Sequence, residues 1–137
     1  MRICMLAWGS RGDVQPIVAF GRGLQADGYD VAVAADPGFT PMITAGGLTP
    51  DPFRGDLVPK PLRQRWRDGT SSGLRQEMRR WHEAAESMAP GVADHLVAVL
   101  DRYDAFFSGV ITFGPMLPAL QAAGKHHIRT SLTPSTA

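Results

Sequence analysis

Apolar residues collect in short runs along the chain, and the first run sets the pattern for the rest. Every residue from Ile3 to Trp8 is apolar, with no period of two and too little length for a helix before Gly9. Such a run is typical of a strand buried on both faces of a parallel sheet. The turn that follows, Gly9–Asp13, is small, flexible and polar. The pattern predicts an α/β layer with this strand at its centre and the turn at the strand's carboxyl end.

The next stretch predicts a helix and a second strand. Apolar positions at spacings of three and four indicate a helix from about Val14 to Ala26, with Asp13 as its N-cap. Pro16 is expected in the first turn, where its missing N–H is not needed. Gly28 ends this helix, and Val31–Ala35 forms the second buried strand. We therefore expect a βαβ unit with a right-handed crossover.

The remaining pattern predicts further short elements around one long loop. A short helix over Phe39–Gly46 and a strand over Leu48–Phe53 come before the loop Arg54–Gly73, which contains several prolines and glycines and no regular period. Beyond the loop the expected elements are a helix from Leu74 broken at Pro90, a helical segment from Val92 to about Tyr103, a strand at Ala105–Phe107, a helix from Gly114 to Gly124, and a strand over His126–Leu132. Alternating helices and strands of this kind predict an α/β fold with a parallel sheet and helices on both faces.

Three predicted strand ends meet at one edge of that sheet. They are followed by Gly9–Asp13, by Gly109–Phe113 and by Thr133–Ser135. Ligands of open parallel sheets bind at the carboxyl ends of the strands, and a helix N-terminus favours an anion. The edge is therefore the candidate site. On loop chemistry alone, a tight connection with a capping Asp13 explains the first turn equally well.

Composition narrows the class of protein. The 137 residues suit one domain, and the net charge of +1 favours neither disorder nor a nucleic-acid binder. A basic stretch between residues 54 and 80 is best explained as a solvated face. The single Cys4 excludes an internal disulfide, and the chain has no signal-peptide pattern and no apolar run long enough for a membrane span. A cytoplasmic protein is the default expectation.

The histidines do not predict a metal site. His126 and His127 are adjacent, so they point to opposite faces of a strand, while His82 and His95 have no partner at ligand spacing. The chain also lacks the G-x-S-x-G sequence of a hydrolase nucleophile. We expect no metal site and no nucleophilic hydrolysis.

Several short sequence segments resemble those of a known protein family. The segment Gly9–Pro16, GSRGDVQP, after an N-terminal strand resembles the opening motif of the two-domain glycosyltransferases that modify antibiotics, other natural products and sterols. The likeness continues through Gly28–Ala34, GYDVAVA, and returns at Asp104–Gly109 and at Leu132–Pro134. The resemblance implies the Rossmann-like N-terminal half of a GT-B fold. It also implies an inverting, metal-independent sugar transfer with no cofactor other than a nucleotide-diphosphate sugar as co-substrate.

The same resemblance implies roles for individual residues. Asp13 matches the acidic position of the motif and would be the general base, while Ser10, Arg11 and Gly12 would border the donor phosphates. The alternative for Asp13 is a helix cap with no catalytic role. Residues that would line the acceptor pocket are Trp66, Met78, Trp81, Val110, Ile111, Thr112, Phe113 and Thr133. For Trp66, Met78 and Trp81, packing in or over the core is the competing explanation.

The resemblance also implies an organisation and a set of partners. Residues 1–137 correspond to a single acceptor-binding domain, and the C-terminal domain that binds the nucleotide sugar is absent from this chain. The expected partners are a small aglycone and, mainly through that other domain, the nucleotide sugar; homodimerisation is left open. Two alternatives stay open: a non-catalytic auxiliary binding module, and a nicotinamide-dependent or nucleotide-sugar-modifying enzyme. The second is suggested by Asp36, an acidic residue after the second strand, where such enzymes hold a ribose.

Overall fold

The computed structural model describes residues 1–53, 73–109 and 117–130. These residues form strands β1 (Arg2–Leu6), β2 (Asp30–Ala34), β3 (Thr49–Pro50), β4 (Ala105–Ser108) and β5 (His126–Arg129), and helices α1 (Arg11–Ala26), α2 (Thr40–Ala45) and α3 (Leu74–Val99). A fourth helix, α4, is described over residues 117–122, and single 3₁₀ turns occupy Pro37–Phe39 and Leu100–Arg102. Among these described helices, none has the length and apolar character needed to cross a membrane.

The strands form one parallel sheet with β1 at its centre, as the first apolar run predicted. The order is β3-β2-β1-β4-β5, and every neighbouring pair is parallel. Leu6, near the end of β1, is in register with Ala34 on one side and Ser108 on the other. The three central strands therefore end at the same level, and the residues that follow them share one edge of the sheet.

Each face of the sheet buries its own apolar cluster. Cys4, Leu6 and Trp8 lie on one face with Leu96 and Val99 of α3, whereas alternate residues of β1 lie on the other face with α1. Helix α1 comes so close to the sheet that a Cβ at Gly21 would be 3.0 Å from the Sδ atom of Met5 in β1. The α/β fold with helices on both faces is confirmed, and Cys4 is buried as a small hydrophobic residue.

Helix α1 begins earlier than the sequence pattern predicted, so the expectation that Asp13 is its N-cap was wrong. The helix starts at Arg11, the N-cap is Ser10, and Asp13 is the third helical residue. Pro16 accordingly lies inside the helix and not in the first turn. Its missing N–H leaves the Gly12 carbonyl without its usual helical partner. The pattern misled because serine and aspartate both cap helices well, and both occur in this turn.

Helix α3 also differs, because the predicted break at Pro90 does not occur. The helix runs without interruption from Leu74 to Val99, and Pro90 is exposed. A proline in a helix deprives one carbonyl, here that of Glu86, of its donor. Since Glu86 is also exposed, water can take the place of that donor and the helix continues.

The two edge strands are shorter than predicted. Strand β3 contains only Thr49 and Pro50, although the Asp51 N–H still donates to the Val33 carbonyl and the Phe53 N–H to that of Ala35, both at 2.9 Å. The prolines interrupt the hydrogen-bond ladder, because they have no N–H to donate. Strand β5 ends at Arg129, and the predicted continuation from residue 131 lies outside the described residues.

A polar cluster ties the β3 edge to the turn after α3. The Arg102 guanidinium donates to both carboxylate oxygens of Asp51, at 3.2 and 3.0 Å, and the Tyr103 hydroxyl donates to the same carboxylate at 2.8 Å. Burial, followed by the hydrogen bond to Asp51, raises the pKa of Tyr103. The phenol therefore stays protonated and keeps donating, which fixes the sheet edge to the start of β4.

Candidate functional site at the carboxyl edge

The candidate site begins where β1 ends, at the centre of the sheet. Trp8 and Gly9 are buried, and the chain then turns outward through the exposed Ser10 into α1. Ala35, which follows β2, and Gly109, which follows β4, continue the two neighbouring strands at this edge. The predicted convergence of strand ends is therefore present for β1 and β4.

Gly9 is required by the geometry of the turn. Its φ of 129° belongs to a region that side-chain-bearing residues rarely adopt. A Cβ atom built at this position would also collide with the carboxylate of Asp13. The absence of a side chain at Gly9 thus creates the space that the Asp13 carboxylate occupies.

Asp13 is held by a short network that the sequence did not reveal. Its Oδ2 atom accepts from the Ser10 backbone N–H at 2.7 Å and from the Ser10 hydroxyl at 2.9 Å. This is the backward reach of a third-position carboxylate to the N-cap seen in capping boxes. Among the residues that the structure describes, no hydrogen bond reaches the other oxygen, Oδ1. Asp13 is partly exposed, so one oxygen is anchored while the other remains available.

The predicted phosphate-bordering residues lie together at the start of α1. Ser10, Arg11 and Gly12 are all exposed. The first backbone N–H groups of a helix have no acceptor within the helix, so those of Arg11 and Gly12 are available to an external anion. At Gly12 a Cβ would meet only the Ser10 Oγ atom, at 3.5 Å. The turn can therefore present N–H groups and a carboxylate within one short segment.

The structure does not place most of the predicted acceptor-pocket residues. Trp66, Val110, Ile111, Thr112, Phe113 and Thr133 lie outside the described residues. Met78 and Trp81 belong to α3, but only their backbone is described. Their assignment to an acceptor pocket stays a prediction.

Aromatic residues that the sequence analysis had not singled out are buried on the α3 face near this edge. Trp8 is 5% exposed and Phe53 is 2% exposed, and both belong to the cluster that includes Ala34. The His95 ring from α3 meets the Phe53 ring edge to face, with 4.9 Å between the ring centres. These residues form an aromatic part of the apolar cluster on the α3 face of the sheet. The apolar run predicted burial of Trp8, but no sequence signal linked it to Phe53.

A second polar contact at this edge joins β4 to β5. The Ser108 Oγ and His127 Nε2 atoms are 2.7 Å apart, and the Thr130 hydroxyl donates to the Ser108 carbonyl at 3.1 Å. Burial lowers the pKa of His127. Ser108 itself is fully buried, so this pair fixes the strands and does not offer a reactive hydroxyl. His126, its neighbour in the strand, is exposed.

Asp36 has a local structural role after β2. Its carboxylate accepts from the Gly38 backbone N–H at 2.9 Å and caps the 3₁₀ turn Pro37–Phe39. This capping contact gives Asp36 a structural role that needs no ribose ligand.

Comparison with known proteins assigns the chain to a family. Residues 3–108 match the glycosyltransferase family 28 N-terminal domain. The match covers most of the chain, including the β1 strand, the Gly9–Asp13 turn and β4. The chain therefore belongs to this family of N-terminal domains.

The relatives are enzymes that glycosylate natural products and sterols. The O-mycaminosyltylonolide 6-deoxyallosyltransferase of Streptomyces fradiae is 50% identical over 48 residues, which are 35% of this chain and 11% of that enzyme. The sterol 3-beta-glucosyltransferase of Aspergillus terreus is 43% identical over 56 residues, covering 41% of this chain and 4% of that enzyme. The matched stretch is thus a small part of much longer proteins.

Solved structures agree with the fold. The glycosyltransferase SsfS6 of Streptomyces sp. SF2575 superposes with a TM-score of 0.70 at 22% identity, over 96% of this chain and 39% of that one. The glycosyltransferase of kitacinnamycin gives 0.67 at 25% identity, over 95% and 30%. VinC, solved in complex with DTDP, gives 0.70 at 22% identity, over 98% and 35%. The chain has the N-terminal Rossmann-like architecture of GT-B glycosyltransferases and spans about a third of their length.

Proposed function

We propose that this chain is the acceptor-side domain of an inverting glycosyltransferase. The enzyme would move a sugar from a nucleotide-diphosphate donor to a hydroxyl of a small apolar natural product. The family, its antibiotic and sterol relatives and the DTDP bound by VinC support this class of reaction. A second domain would supply most of the donor contacts.

In the proposed reaction the acceptor hydroxyl displaces the diphosphate in one step. The hydroxyl oxygen forms a bond to the anomeric carbon as the bond from that carbon to the donor phosphate oxygen breaks. The nucleoside diphosphate leaves with the electron pair, and Asp13 takes the hydroxyl proton as general base. The N–H groups of Arg11 and Gly12 would stabilise the negative charge that develops on the leaving group.

One observation carries this proposal: the anchored Asp13 carboxylate with one uncommitted oxygen. The Ser10 N–H and hydroxyl hold Oδ2 at 2.7 and 2.9 Å, so Oδ1 can face a substrate in a fixed orientation. Fixing a catalytic group in this way removes the entropic cost of positioning it during the reaction. A capping aspartate and a catalytic base are then compatible roles of a single side chain.

The substitution Asp13→Asn tests the proposal in a protein that carries this chain together with a nucleotide-sugar-binding domain. An asparagine oxygen can accept both Ser10 hydrogen bonds, so the turn should keep its structure while the base is lost. We expect turnover with O-mycaminosyltylonolide or cholesterol as acceptor to fall about 10²- to 10⁴-fold. Product formation is followed by mass spectrometry with TDP-sugar and UDP-sugar donors.

Asp36→Asn is the matched control, because Asp36 is a second capping aspartate after a neighbouring strand. Its substitution should leave turnover unchanged, and it also tests the nicotinamide alternative, in which Asp36 would bind a ribose. Unchanged turnover in Asp13→Asn would remove Asp13 from the mechanism. Transfer with retained anomeric configuration would contradict the single-displacement step.

A further inference from the structure

The indole N–H of Trp8 is a buried hydrogen-bond donor that has no acceptor among the described residues. The side chain is 5% exposed, and within the described part of the chain its Nε1 atom is buried with no hydrogen-bond partner. Nearly all buried N–H groups in folded proteins are satisfied, because an unmet one has lost its bond to water and gained nothing. An exception next to a candidate site requires an explanation.

The position of Trp8 connects it to that site. It follows β1 directly, precedes Gly9, and lies on the α3 face of the sheet. Across the sheet, Ala34 on β2 is in register with Leu6, and the Phe53 N–H bonds to the Ala35 carbonyl. Trp8, Ala34 and Phe53 belong to the same buried cluster on this face. Trp8 therefore lies at the carboxyl edge of the sheet, where ligands of open parallel sheets bind, five residues before Asp13 in the chain.

We propose that Trp8 is a specificity residue whose indole N–H donates to an oxygen of the acceptor. The inference rests on the function proposed above and adds a chemical requirement to it. Indole is a donor with no acceptor atom, so the matching ligand group must be a hydroxyl, ether or carbonyl oxygen on an otherwise apolar body. Because Nε1 is enclosed in the free chain, acceptor binding must rotate the indole or displace what covers it.

The argument from free energy favours such a role. The free chain bears the penalty of the buried donor, and the acceptor removes that penalty when it supplies an oxygen. A ligand without that oxygen would leave the donor unpaired and gain no free energy from it. The site would therefore bind a ligand with the oxygen more tightly than an analogue without it.

The indole N–H signal gives a direct test. The chain contains three tryptophans, so a ¹⁵N-labelled sample shows three indole signals in a two-dimensional NMR spectrum. The signal missing from Trp8→Phe belongs to Trp8; if that variant does not fold, Trp66→Phe and Trp81→Phe assign it by elimination. We expect the Trp8 proton to move downfield on addition of O-mycaminosyltylonolide or cholesterol, as a new hydrogen bond forms.

Affinity measurements provide the second arm. Trp8→Phe should bind the same probe about three- to tenfold more weakly, as expected for loss of one neutral hydrogen bond. The matched control is Tyr103→Phe, which removes a hydroxyl on the same sheet face that is already bonded to Asp51 at 2.8 Å. That variant should keep the affinity of the unmodified chain.

The outcomes separate this inference from the proposed function. A probe that binds without moving the Trp8 signal, and binds Trp8→Phe equally well, overturns the role of Trp8 and leaves the acceptor domain intact. A Trp8 proton already far downfield in the free chain overturns it as well, because the donor then has a partner such as an ordered water. If neither probe binds the chain and the transferase that carries it transfers no sugar to either probe, the proposed function fails and this inference fails with it.

Discussion

At the scale of single residues, the Asp13 carboxylate owes its position to a glycine four places before it. Gly9 combines a φ of 129° with a location where a Cβ would strike that carboxylate. Ser10 then supplies two donors to Oδ2. Backbone conformation, steric space and hydrogen bonding therefore act on the same oxygen, and each can be tested separately.

Gly9→Ala should damage the site more than it damages the fold. The positive φ alone should destabilise the chain by about 1–3 kcal/mol, and the collision should push the Asp13 carboxylate away from Ser10. We expect a lower urea midpoint and, in the complete transferase, a loss of turnover that exceeds what the fraction of folded protein explains. Circular dichroism during urea unfolding and product formation measure the two effects.

Two other glycines provide controls for this substitution. Gly28 also has a positive φ, 89°, but no atom lies within 4 Å of its Cβ position, so Gly28→Ala reports the backbone strain alone. Gly23 lies inside α1 with equally open space, so Gly23→Ala should stabilise the helix by about 0.5–1 kcal/mol. If Gly9→Ala and Gly28→Ala lose the same activity, the collision with Asp13 has no functional meaning.

At the scale of elements, the local pattern of apolar residues predicted a strand correctly wherever burial determines the structure. The apolar runs at Ile3–Trp8 and Ala105–Phe107 correctly predicted β1 and β4, because a strand buried on both faces needs little beyond apolar side chains. Pattern failed where two signals compete. Ser10 and Asp13 are both good caps, and only the hydrogen bonds from Ser10 to Asp13 Oδ2 show which one begins the helix.

The polar contacts between residues far apart in the sequence could not be predicted for a different reason. Ser108 and His127 are 19 residues apart and meet only through the register of β4 and β5. Asp51 and Tyr103 are 52 residues apart and meet across the sheet face. Neither pair has a local sequence signal, since contact depends on the sheet order. The turn Gly9–Asp13, in contrast, is formed by residues close in the sequence, so it could be predicted as the candidate site from the sequence.

Helix α3 offers a test of how a helix tolerates an internal proline. Pro90 is exposed within a continuous helix of 26 residues, so Pro90→Ala should restore the N–H that bonds to the Glu86 carbonyl. The gain is at most about 3 kcal/mol, reduced by the greater freedom of the unfolded alanine chain. We expect a higher thermal midpoint and greater helical ellipticity. A lower midpoint would mean that Pro90 fits a local bend that the surrounding packing requires.

At the scale of the whole molecule, the sheet is asymmetric in a way that affects its response to pH. Strands β1 and β4 are buried, whereas the edge strand β5 is mostly exposed, with Ile128 at 49%. The Ser108–His127 contact is a side-chain link between that edge and the protected centre. The protonation state of His127 should therefore influence the stability of the whole fold.

Acid should weaken the fold through His127. Burial lowers the pKa of His127 in the folded chain, while in the unfolded chain it is expected near 6.5. Above that value the imidazole is neutral in both states, and its contribution to stability is complete. As the pH falls through 6.5, the unfolded chain binds the proton first, so the free energy of unfolding decreases until the folded pKa is passed. Urea unfolding at pH 7.5, 6.5 and 5.5 should show this decline.

His127→Gln should flatten that pH dependence, since glutamine can still bond to the Ser108 hydroxyl but does not titrate. His126→Gln is the matched control, because His126 is the neighbouring residue on the exposed side of the same strand; it should keep the slope of the unmodified chain. Groups other than these two histidines are the same in all three proteins, so the comparison of the two variants separates His127 from its neighbour. Equal slopes in the two variants would show that the β4–β5 link does not couple proton binding to folding.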